Sequence, residues 1–277
     1  MGSRHWIALA IVFLGALVPD LLSAQGDSGF LRGKGRTDFA FSYSQDRYSE
    51  FWNGEKKVAD DNVGTIKRQS FNLYVAHGLT DDVDLSFSLA YTRASSSGIF
   101  DDEADLQDAV VQLKCRLVEF HLGSATVNVL AAPAVKLPLT DYEDDNVTAI
   151  GDGQTDFRGR GIVQVRFPCS TFLAVETGYD VRSQDPPDEF QLHATAGTTI
   201  GDRATISIFY SLVRSLGGHD IGAGSFPGVE EEYDRLGFGV YFRLTNRIGM
   251  SASSWTTLNG LNTGDVEGYS VGLVIAL

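Results

Sequence analysis

The sequence predicts an all-β protein, a transmembrane antiparallel up-and-down β-barrel of about 12 strands. Apolar residues alternate with small or polar residues through most of the chain, and a strand places successive side chains on opposite faces. Helical periodicity is nearly absent, and 30 glycines stand beside only 7 prolines. Short and long connections alternate between the expected strands, as they do in outer-membrane barrels.

Each expected strand rests on its own alternating run. In the first, Phe39, Phe41 and Tyr43 alternate with Ala40 and Ser42. The clearest hairpin joins the second and third strands across a Gly-Leu-Thr-Asp turn. By residue number, the expected strands are 36–46, 70–76, 83–91, 108–117, 125–135, 157–167, 173–182, 190–200, 206–212, 236–244, 248–257 and 268–277.

The last expected strand has one broad apolar face and one face of small residues. Tyr269, Val271, Leu273, Ile275 and Leu277 form the apolar face. We expect this strand to pair with the first strand. Closing the sheet in this way removes its edges and lets every backbone hydrogen bond form within a membrane.

The N-terminal residues predict a cleaved secretory signal. Arg4 precedes an uninterrupted apolar or glycine run at residues 7–18, and the small residue Ala24 precedes Gln25. The run is too short to span a bilayer as a helix, because that needs about 20 apolar residues. We therefore expect a signal peptide at residues 1–24 and an outer-membrane barrel at residues 25–277.

Connection lengths orient the expected barrel. Outer-membrane barrels have short periplasmic turns and longer outer loops, so we expect both termini on the periplasmic side of a bacterial outer membrane. One short turn is expected at residues 119–123. The long connections lie near Lys56, Ser97, Asp144, Gly222 and Asn262, and the short ones lie near Asp81, His121, Cys169, Asp202 and Asn246.

Aromatic residues fall near both ends of the expected strands, on the apolar face. Aromatic girdles of this kind lie at the two interfaces of a membrane. We therefore expect the following side chains to contact outer-membrane lipid. They are Tyr43, Tyr91, Phe157, Tyr179, Phe190 and Tyr269 near the outer ends of the strands, and Phe167 and Phe242 near the inner ends.

The opposite face of the expected strands carries the charged residues. An Arg or Lys that faces lipid costs about 2 to 4 kcal/mol at the bilayer midplane, so this face should line the lumen. One interpretation is a basic strip that attracts anionic or polar solutes, and the other is a salt-bridged lumen plug with carboxylates as counter-ions. The expected lumen-lining residues are Lys114, Arg116, Arg158, Arg160, Arg166, Glu176, Asp180, Arg182, His193 and Arg243.

A histidine on this face raises a catalytic alternative. Pairing across the turn at Gly201 sets His193 opposite Ser211, with the carboxylates of Glu176 and Asp180 one strand away. Serine, histidine and a carboxylate form the triad of many hydrolases. The sequence identifies no oxyanion donors, so a polar lumen network is the favoured interpretation.

Composition and charge exclude some functions. The formal net charge of −14 at pH 7 argues against nucleic-acid binding, because phosphates would be repelled. Acidic clusters lie in the long connections at residues 60–61, 101–103, 143–145 and 230–232. Such clusters could bind divalent cations but are more often solvated loop tips, so no metal and no cofactor are expected.

The alternative fold is a secreted β-sandwich whose apolar faces pack on one another.

Local sequence features resemble one known family. Ser97 and Gly98 are followed at residues 105–117 by the run DLQDAVVQLKCRL. This wording resembles a strand motif of the outer-membrane transporter-like family linked to the MetA pathway of phenol degradation. The Gly-Asp-Gly step at residues 151–153 and the hairpin at residues 74–85 are similar to the same family. The resemblance implies an outer-membrane barrel suspected of passing small, often apolar, molecules, and it supplies no catalytic residues.

Together these observations favour a passive channel or transporter for small, apolar or aromatic molecules, and no enzymatic activity is expected. The expected partners are outer-membrane lipid, a small-molecule solute and the barrel-insertion machinery. One alternative is a structural or surface-interaction barrel with a plugged lumen. A more remote alternative is an outer-membrane hydrolase that uses His193 and Ser211.

Overall fold

A computed structural model of the protein describes residues 29–183, 185–201 and 203–277. The signal peptide expected at residues 1–24, and Asp202 of one expected short turn, lie outside the described residues. Strands dominate the regular structure, together with one short 3-10 helix at Phe226–Gly228. Within the described part of the chain, no helix is long and apolar enough to span a membrane.

The strands are numbered in chain order, and most of them are longer at one or both ends than the sequence predicted. They are β1 (Thr37–Tyr48), β2 (Phe51–Asn53), β3 (Lys56–Val58), β4 (Ile66–Gly78), β5 (Val83–Ser96), β6 (Glu103–Leu106), β7 (Ala109–Leu122), β8 (Ala125–Ala131), β9 (Ala134–Leu137), β10 (Asp156–Arg166), β11 (Thr171–Arg182), β12 (Glu189–Ile200), β13 (Ala204–Ser215), β14 (Glu232–Arg243), β15 (Ile248–Leu261) and β16 (Glu267–Ala276).

All the strands except β2 and β3 form one antiparallel sheet that closes on itself. β6 and β7 together occupy one position beside β5, and β8 and β9 together occupy the next position, between β7 and β10. The sheet is therefore an antiparallel 12-strand barrel, which confirms the expected fold. The β-sandwich alternative is wrong, because a single sheet surrounds the lumen. β2 and β3 form a small hairpin in the first long connection.

β1 and β16 close the barrel. Their register runs from Asp38 opposite Ala276 to Arg47 opposite Glu267. The expected pairing of the first and last strands is confirmed, and the start of β1 and the end of β16 lie at the end of the barrel that carries the short turns. Closure pairs the backbone groups of both strands, which the hydrocarbon of a membrane requires.

A β-bulge displaces one expected turn. The turn expected at residues 119–123 is wrong, because β7 continues through Leu122. The register of β7 against β8 shifts between Arg116 and Val118. A bulge adds one residue to a strand, so Leu117 and Val118 both face outward, with 66% and 47% of their surfaces exposed. A strict period of two does not predict such an insertion.

Proline interrupts another expected strand. The strand expected at residues 125–135 is divided into β8 and β9, and Pro133 lies in the gap. Proline has no N–H to donate to a central ladder. Both halves nevertheless pair with β10, and the N–H of Ala132 in the gap donates to the carbonyl of Arg160 at 2.8 Å. The interruption therefore does not open the wall.

Side-chain exposure separates the two faces of the barrel. On β16, Val271 and Leu273 are 50% and 40% exposed, whereas Ile162 and Gln164 on the inner face of β10 are each 1% exposed. Soluble proteins rarely expose a continuous apolar surface of this size. The apolar outer surface is the side that faces lipid in a membrane barrel, and the inner face encloses the lumen.

Candidate functional site

The inner faces of β10, β11 and β12 carry a dense network of charges, here called the charged half-wall. Arg160 lies at its centre: the guanidinium contacts Asp180, donates to Gln191 Oε1 at 3.1 Å and lies 3.7 Å from Glu176. Gln191 also donates to Asp180 at 3.1 Å. Arg160, Asp180 and Glu176 are buried, and buried charges need such partners because they have lost their water.

A second cluster continues this network towards the outer end of the barrel. Lys136 contacts Asp152 and lies 2.7 Å from Asp156. Arg182 also contacts Asp152 and donates to Glu189 at 2.5 Å. Burial alone would raise the pKa of the Asp152 carboxyl, but the Lys136 ammonium and the Arg182 guanidinium hold that pKa below its usual range. Asp152 thus stays ionised and ties an outer loop to the wall.

That loop, residues 138–155, folds into the outer mouth of the barrel. Tyr142 is buried and donates to Asp108 at 2.5 Å; burial, and then this hydrogen bond, raise the pKa of its hydroxyl. Arg68 on β4 donates to the carbonyl of Ala149 at 2.9 Å. Because the loop starts after β9, ends at β10 and contacts β4, it extends over the outer end of the lumen.

A second segment, residues 29–35, crosses the inner end of the lumen and is here called the N-terminal plug. The Phe30 ring packs edge-on against Phe172 of β11, with the ring centroids 5.2 Å apart. Leu31 packs against Leu130 and Ile162 on the opposite wall from β1. The plug continues directly into β1, and β11 lies across the barrel from β1, so the segment spans the bore.

Polar contacts anchor the N-terminal plug along its length. Lys114 Nζ donates to the carbonyl of Phe30 at 2.7 Å. Arg32 Nε lies 2.9 Å from Asp38, and the N–H of Arg32 donates to Asp84 at 2.8 Å. The sequence had placed Lys114 in a basic strip, and these partners were missed because contacts between distant parts of the chain carry no local signal.

The inner faces of β15, β16, β1 and β4 differ from the charged half-wall and are here called the serine half-wall. Their side chains are mostly small and neutral. Those that keep part of their surface accessible are Ser251, Ser253, Ser270, Gly272, Ser44, Ser70, Asn72 and Tyr74. In contrast, Gln164, Ala174 and Glu176 of the charged half-wall are buried. Free space in the lumen therefore lies beside the serine half-wall.

Inward-facing aromatic rings flank the serine half-wall. A Cβ atom added to Gly237 would lie 2.1 Å from the Phe209 ring, and one added to Gly268 would lie 2.2 Å from Trp255. Only glycine admits such close approach. Phe209 and Trp255 were not predicted as lumen residues, although glycines at inward positions of neighbouring strands are a signal that could have found them.

His193 and Ser211 meet as expected across β12 and β13. They are paired in the register, and His193 Nδ1 lies 2.8 Å from Ser211 Oγ. Glu176 is paired with His193 across β11 and β12. However, Arg160 contacts Asp180 and lies 3.7 Å from Glu176, so both carboxylates already face a cation. The arrangement favours a polar lumen network over a hydrolase triad.

Other arginines of the expected basic strip also have carboxylate partners. Within 4 Å, these partners are Asp82 and Glu119 for Arg116, Glu119 for Arg166, and Asp156 and Asp180 for Arg158. Arg243 is half-buried on β14, opposite Gly249. The contacts favour the salt-bridged interpretation over a free basic strip, with Glu176 and Asp180 among several counter-ions.

The expected girdle residues all point away from the lumen. Tyr43 and Phe190 are half-buried, whereas the others are exposed, namely Tyr91, Phe157, Phe167, Tyr179, Phe242 and Tyr269. Phe71, which was not expected in a girdle, is 63% exposed, and its ring centroid lies 5.3 Å from that of Tyr43. Tyr43 also lies 6.3 Å from Tyr269, so these rings form a continuous group.

The acidic loop residues make local contacts. Asp60 accepts from the N–H of Asn62 at 2.8 Å, and Asp102 pairs with Arg93 at 2.7 Å. Asp145 accepts an N–H from another outer loop. Among the residues that the structure describes, no group of three or more His, Cys, Asp and Glu side chains is arranged to hold a metal ion.

The closed sheet, the apolar exterior and the polar lumen define a β-barrel of the outer-membrane class. An outer-membrane channel from Pseudomonas putida F1 shares this fold: 14% of residues are identical, the TM-score is 0.76, and the match covers 92% of this chain and 100% of that one. Two further solved structures are more distant. The KdgM porin is 8% identical with a TM-score of 0.49, and the match covers 85% of this chain and 98% of that one. The translocator domain of the autotransporter NalP from Neisseria meningitidis is 12% identical with a TM-score of 0.49, and the match covers 88% of each chain. The sequence matches no protein-family model and no curated protein.

Proposed function

We propose that the protein is an outer-membrane barrel that acts as a passive channel for small uncharged molecules, including apolar and aromatic ones. The asymmetric lumen carries this proposal. The charged half-wall is filled by ions that already have partners, whereas the side chains of the serine half-wall are mostly small and neutral and are partly accessible. An ionic solute would lose its water without finding a free counter-charge, but a neutral solute would not. The bore therefore favours uncharged molecules.

A solute must pass two closures in this proposal. The N-terminal plug is held by the Phe30 ring, by Leu31 packed against Leu130 and Ile162, and by polar contacts of Phe30 and Arg32, and the loop at residues 138–155 is held through Asp152 and Tyr142. Segments held mainly by side-chain contacts open more easily than strands held on both sides by a backbone ladder. Passage thus requires movement of these two segments while the wall stays intact.

The finer features of the proposal come from the sequence. The resemblance to the family linked to the MetA pathway of phenol degradation supports small aromatic molecules as solutes. The expected signal peptide at residues 1–24 supports export and insertion by the barrel-insertion machinery. Short turns at the end where β1 starts and β16 ends support a periplasmic position for both termini. In this proposal the charged residues line the lumen and the girdle residues contact lipid.

The test is solute release from lipid vesicles that contain the purified protein. The two probes are a neutral aromatic glucoside and an aromatic sulfonate of similar size, because both cross pure lipid slowly. We expect protein-dependent release of the glucoside and little release of the sulfonate. A variant that lacks residues 29–32 should release the glucoside faster, because it lacks the ring contact of Phe30 and the anchors of Arg32.

The two closures favour one second candidate, a structural or surface-interaction barrel with a plugged lumen. The same vesicles separate the two candidates. If neither the intact protein nor the variant without residues 29–32 releases the glucoside, although both are folded, the channel proposal fails and the structural barrel remains.

A further inference from the structure

Three neighbouring strands, β5, β4 and β1, show the same change of outward-facing side chains towards the long-loop end. On β1 the order is Phe41, Tyr43, Gln45 and Arg47. On β4 the matching order is Leu73, Phe71, Gln69 and Lys67, and on β5 it is Leu89, Tyr91, Arg93 and Ser95. The register aligns these steps, so a layer of cations lies beyond the aromatic girdle.

Arg47 and Lys67 are directly opposite each other in the register of β1 and β4. They line a surface cleft of about 400 Å³ together with Gln45, Thr65 and Ser95. Among the described residues, neither cation has a carboxylate within ion-pair distance. The cleft therefore presents two free positive charges on the outer wall of a protein whose formal net charge is −14.

The height of the cleft suits lipid headgroups. Arg47 lies four residues beyond Tyr43, which is about 13 Å along a strand. Tyr43 belongs to the girdle, and girdle aromatics lie at the membrane interface. The side-chain amide of Gln45 is a further donor from which a phosphate can accept. Charges in the layer above the girdle thus meet the headgroups of the adjacent leaflet.

Carboxylates flank this cleft on both sides. Glu267 lies opposite Arg47 on β16, and Asp102 pairs with Arg93 at 2.7 Å. The other outward-facing arginine near an outer strand end, Arg214 on β13, already has partners: Glu232 at 3.3 Å and Asp234 at 2.7 Å. Arg47 and Lys67 therefore differ from Arg93 and Arg214, whose charges are already paired.

We propose that the cleft formed by Arg47 and Lys67 binds a phosphate group of an anionic glycolipid of the outer leaflet, that is, a phosphorylated saccharide headgroup such as that of lipopolysaccharide. The site lies outside the lumen and does not depend on transport. It rests only on the proposed orientation, in which the long loops face outward.

The test is binding of diphosphorylated lipid A to the purified protein in detergent, followed by native mass spectrometry. The double variant Arg47→Gln with Lys67→Gln should bind about tenfold more weakly, because it loses two charge-assisted contacts. Arg214→Gln is the matched control and should bind like the unaltered protein. Lipid A without phosphates should bind the unaltered protein no better than it binds the double variant.

Inorganic phosphate provides the remaining arm of this experiment. We expect millimolar inorganic phosphate to compete poorly, because it lacks the acyl chains that contact the girdle. Equal binding by the double variant and the unaltered protein would overturn the proposal, as would equal loss in Arg214→Gln. Full competition by inorganic phosphate would replace the lipid with a free anion and would also overturn it.

Discussion

The charged half-wall and the serine half-wall are built from the same antiparallel ladder but fill the lumen differently. On β10 and β11, long side chains such as Arg160 contact carboxylates of the neighbouring strand, and most inward residues are buried. On β15, β16, β1 and β4, the corresponding inward positions are mostly small residues, and serines such as Ser251, Ser253 and Ser270 stay partly accessible. The number of strands sets the diameter of a barrel. At a fixed diameter, the inward-facing side chains determine how much of the lumen is filled.

This difference separates two roles within one lumen. The charged half-wall contributes specific, paired contacts whose loss leaves a buried charge without a partner. The serine half-wall contributes little to stability but leaves a neutral surface beside the open space. The following substitutions are expected to affect the two half-walls unequally.

Replacing the central cation should have the largest effect. Arg160→Met removes the guanidinium that Asp180 and Glu176 share. Arg158 Nε stays 3.5 Å from Asp180, and breaking a buried ion pair costs about 3–5 kcal/mol. Ser253→Ala, the control on the serine half-wall, should change stability by about 0.5 kcal/mol or less. Urea unfolding in detergent measures both, and similar values for the two variants would remove the distinction between the half-walls.

Adding one methyl group next to an inward ring should have an intermediate effect. In Gly237→Ala the new Cβ would lie 2.1 Å from the Phe209 ring, which is 1% exposed and cannot move freely. Overpacking of this kind costs about 1–3 kcal/mol. In the control Gly159→Ala the nearest atom to the new Cβ is 4.0 Å away, on the lipid-facing side. Equal unfolding midpoints for the two variants would contradict the close approach of Phe209 to β14.

Acidification should have a smaller and more local effect, on the loop tied to the charged half-wall. The pKa of Asp152 is lowered in the folded protein, so its contribution is fully present above the unfolded value of about 3.9 and is lost as the pH falls through the folded value. Glucoside release should therefore rise as the pH of the vesicle medium falls through the lowered pKa of folded Asp152.

Asp152→Asn is the matched variant for this pH effect. It should release more glucoside than the unaltered protein at neutral pH and respond less to acid, because the contacts of Lys136 and Arg182 with a carboxylate are already lost. An acid response as large as that of the unaltered protein would show that another group holds the loop.

The sequence predicted the strands and their two faces because both depend on local alternation. A period of two placed Arg160 and Glu176 inward and Tyr91 and Phe157 outward, and the register across β12 and β13 brought His193 to Ser211 as expected. Alternation works because the outer face must be apolar along its whole length within the membrane.

The same alternation could not predict the closures or the pairing of charges. Phe30 meets Phe172 across the bore, and Asp152 returns from a loop to Arg182, so both contacts join residues far apart in the sequence. The bulge near Val118 was missed for a different reason. One inserted residue reverses the faces of a strand, and no residue type in that segment signals it.

Uptake of the neutral aromatic glucoside by vesicles that contain Ser253→Trp tests the proposed path of solutes most directly. Ser253 faces the lumen on the serine half-wall, whereas the next residue, Ser254, faces outward opposite Tyr269. Successive residues of a strand lie on opposite faces, so Ser254→Trp is a control with the same added bulk. We predict that Ser253→Trp loses most of the uptake and that Ser254→Trp retains it. Unchanged uptake in folded Ser253→Trp would contradict a path along the serine half-wall.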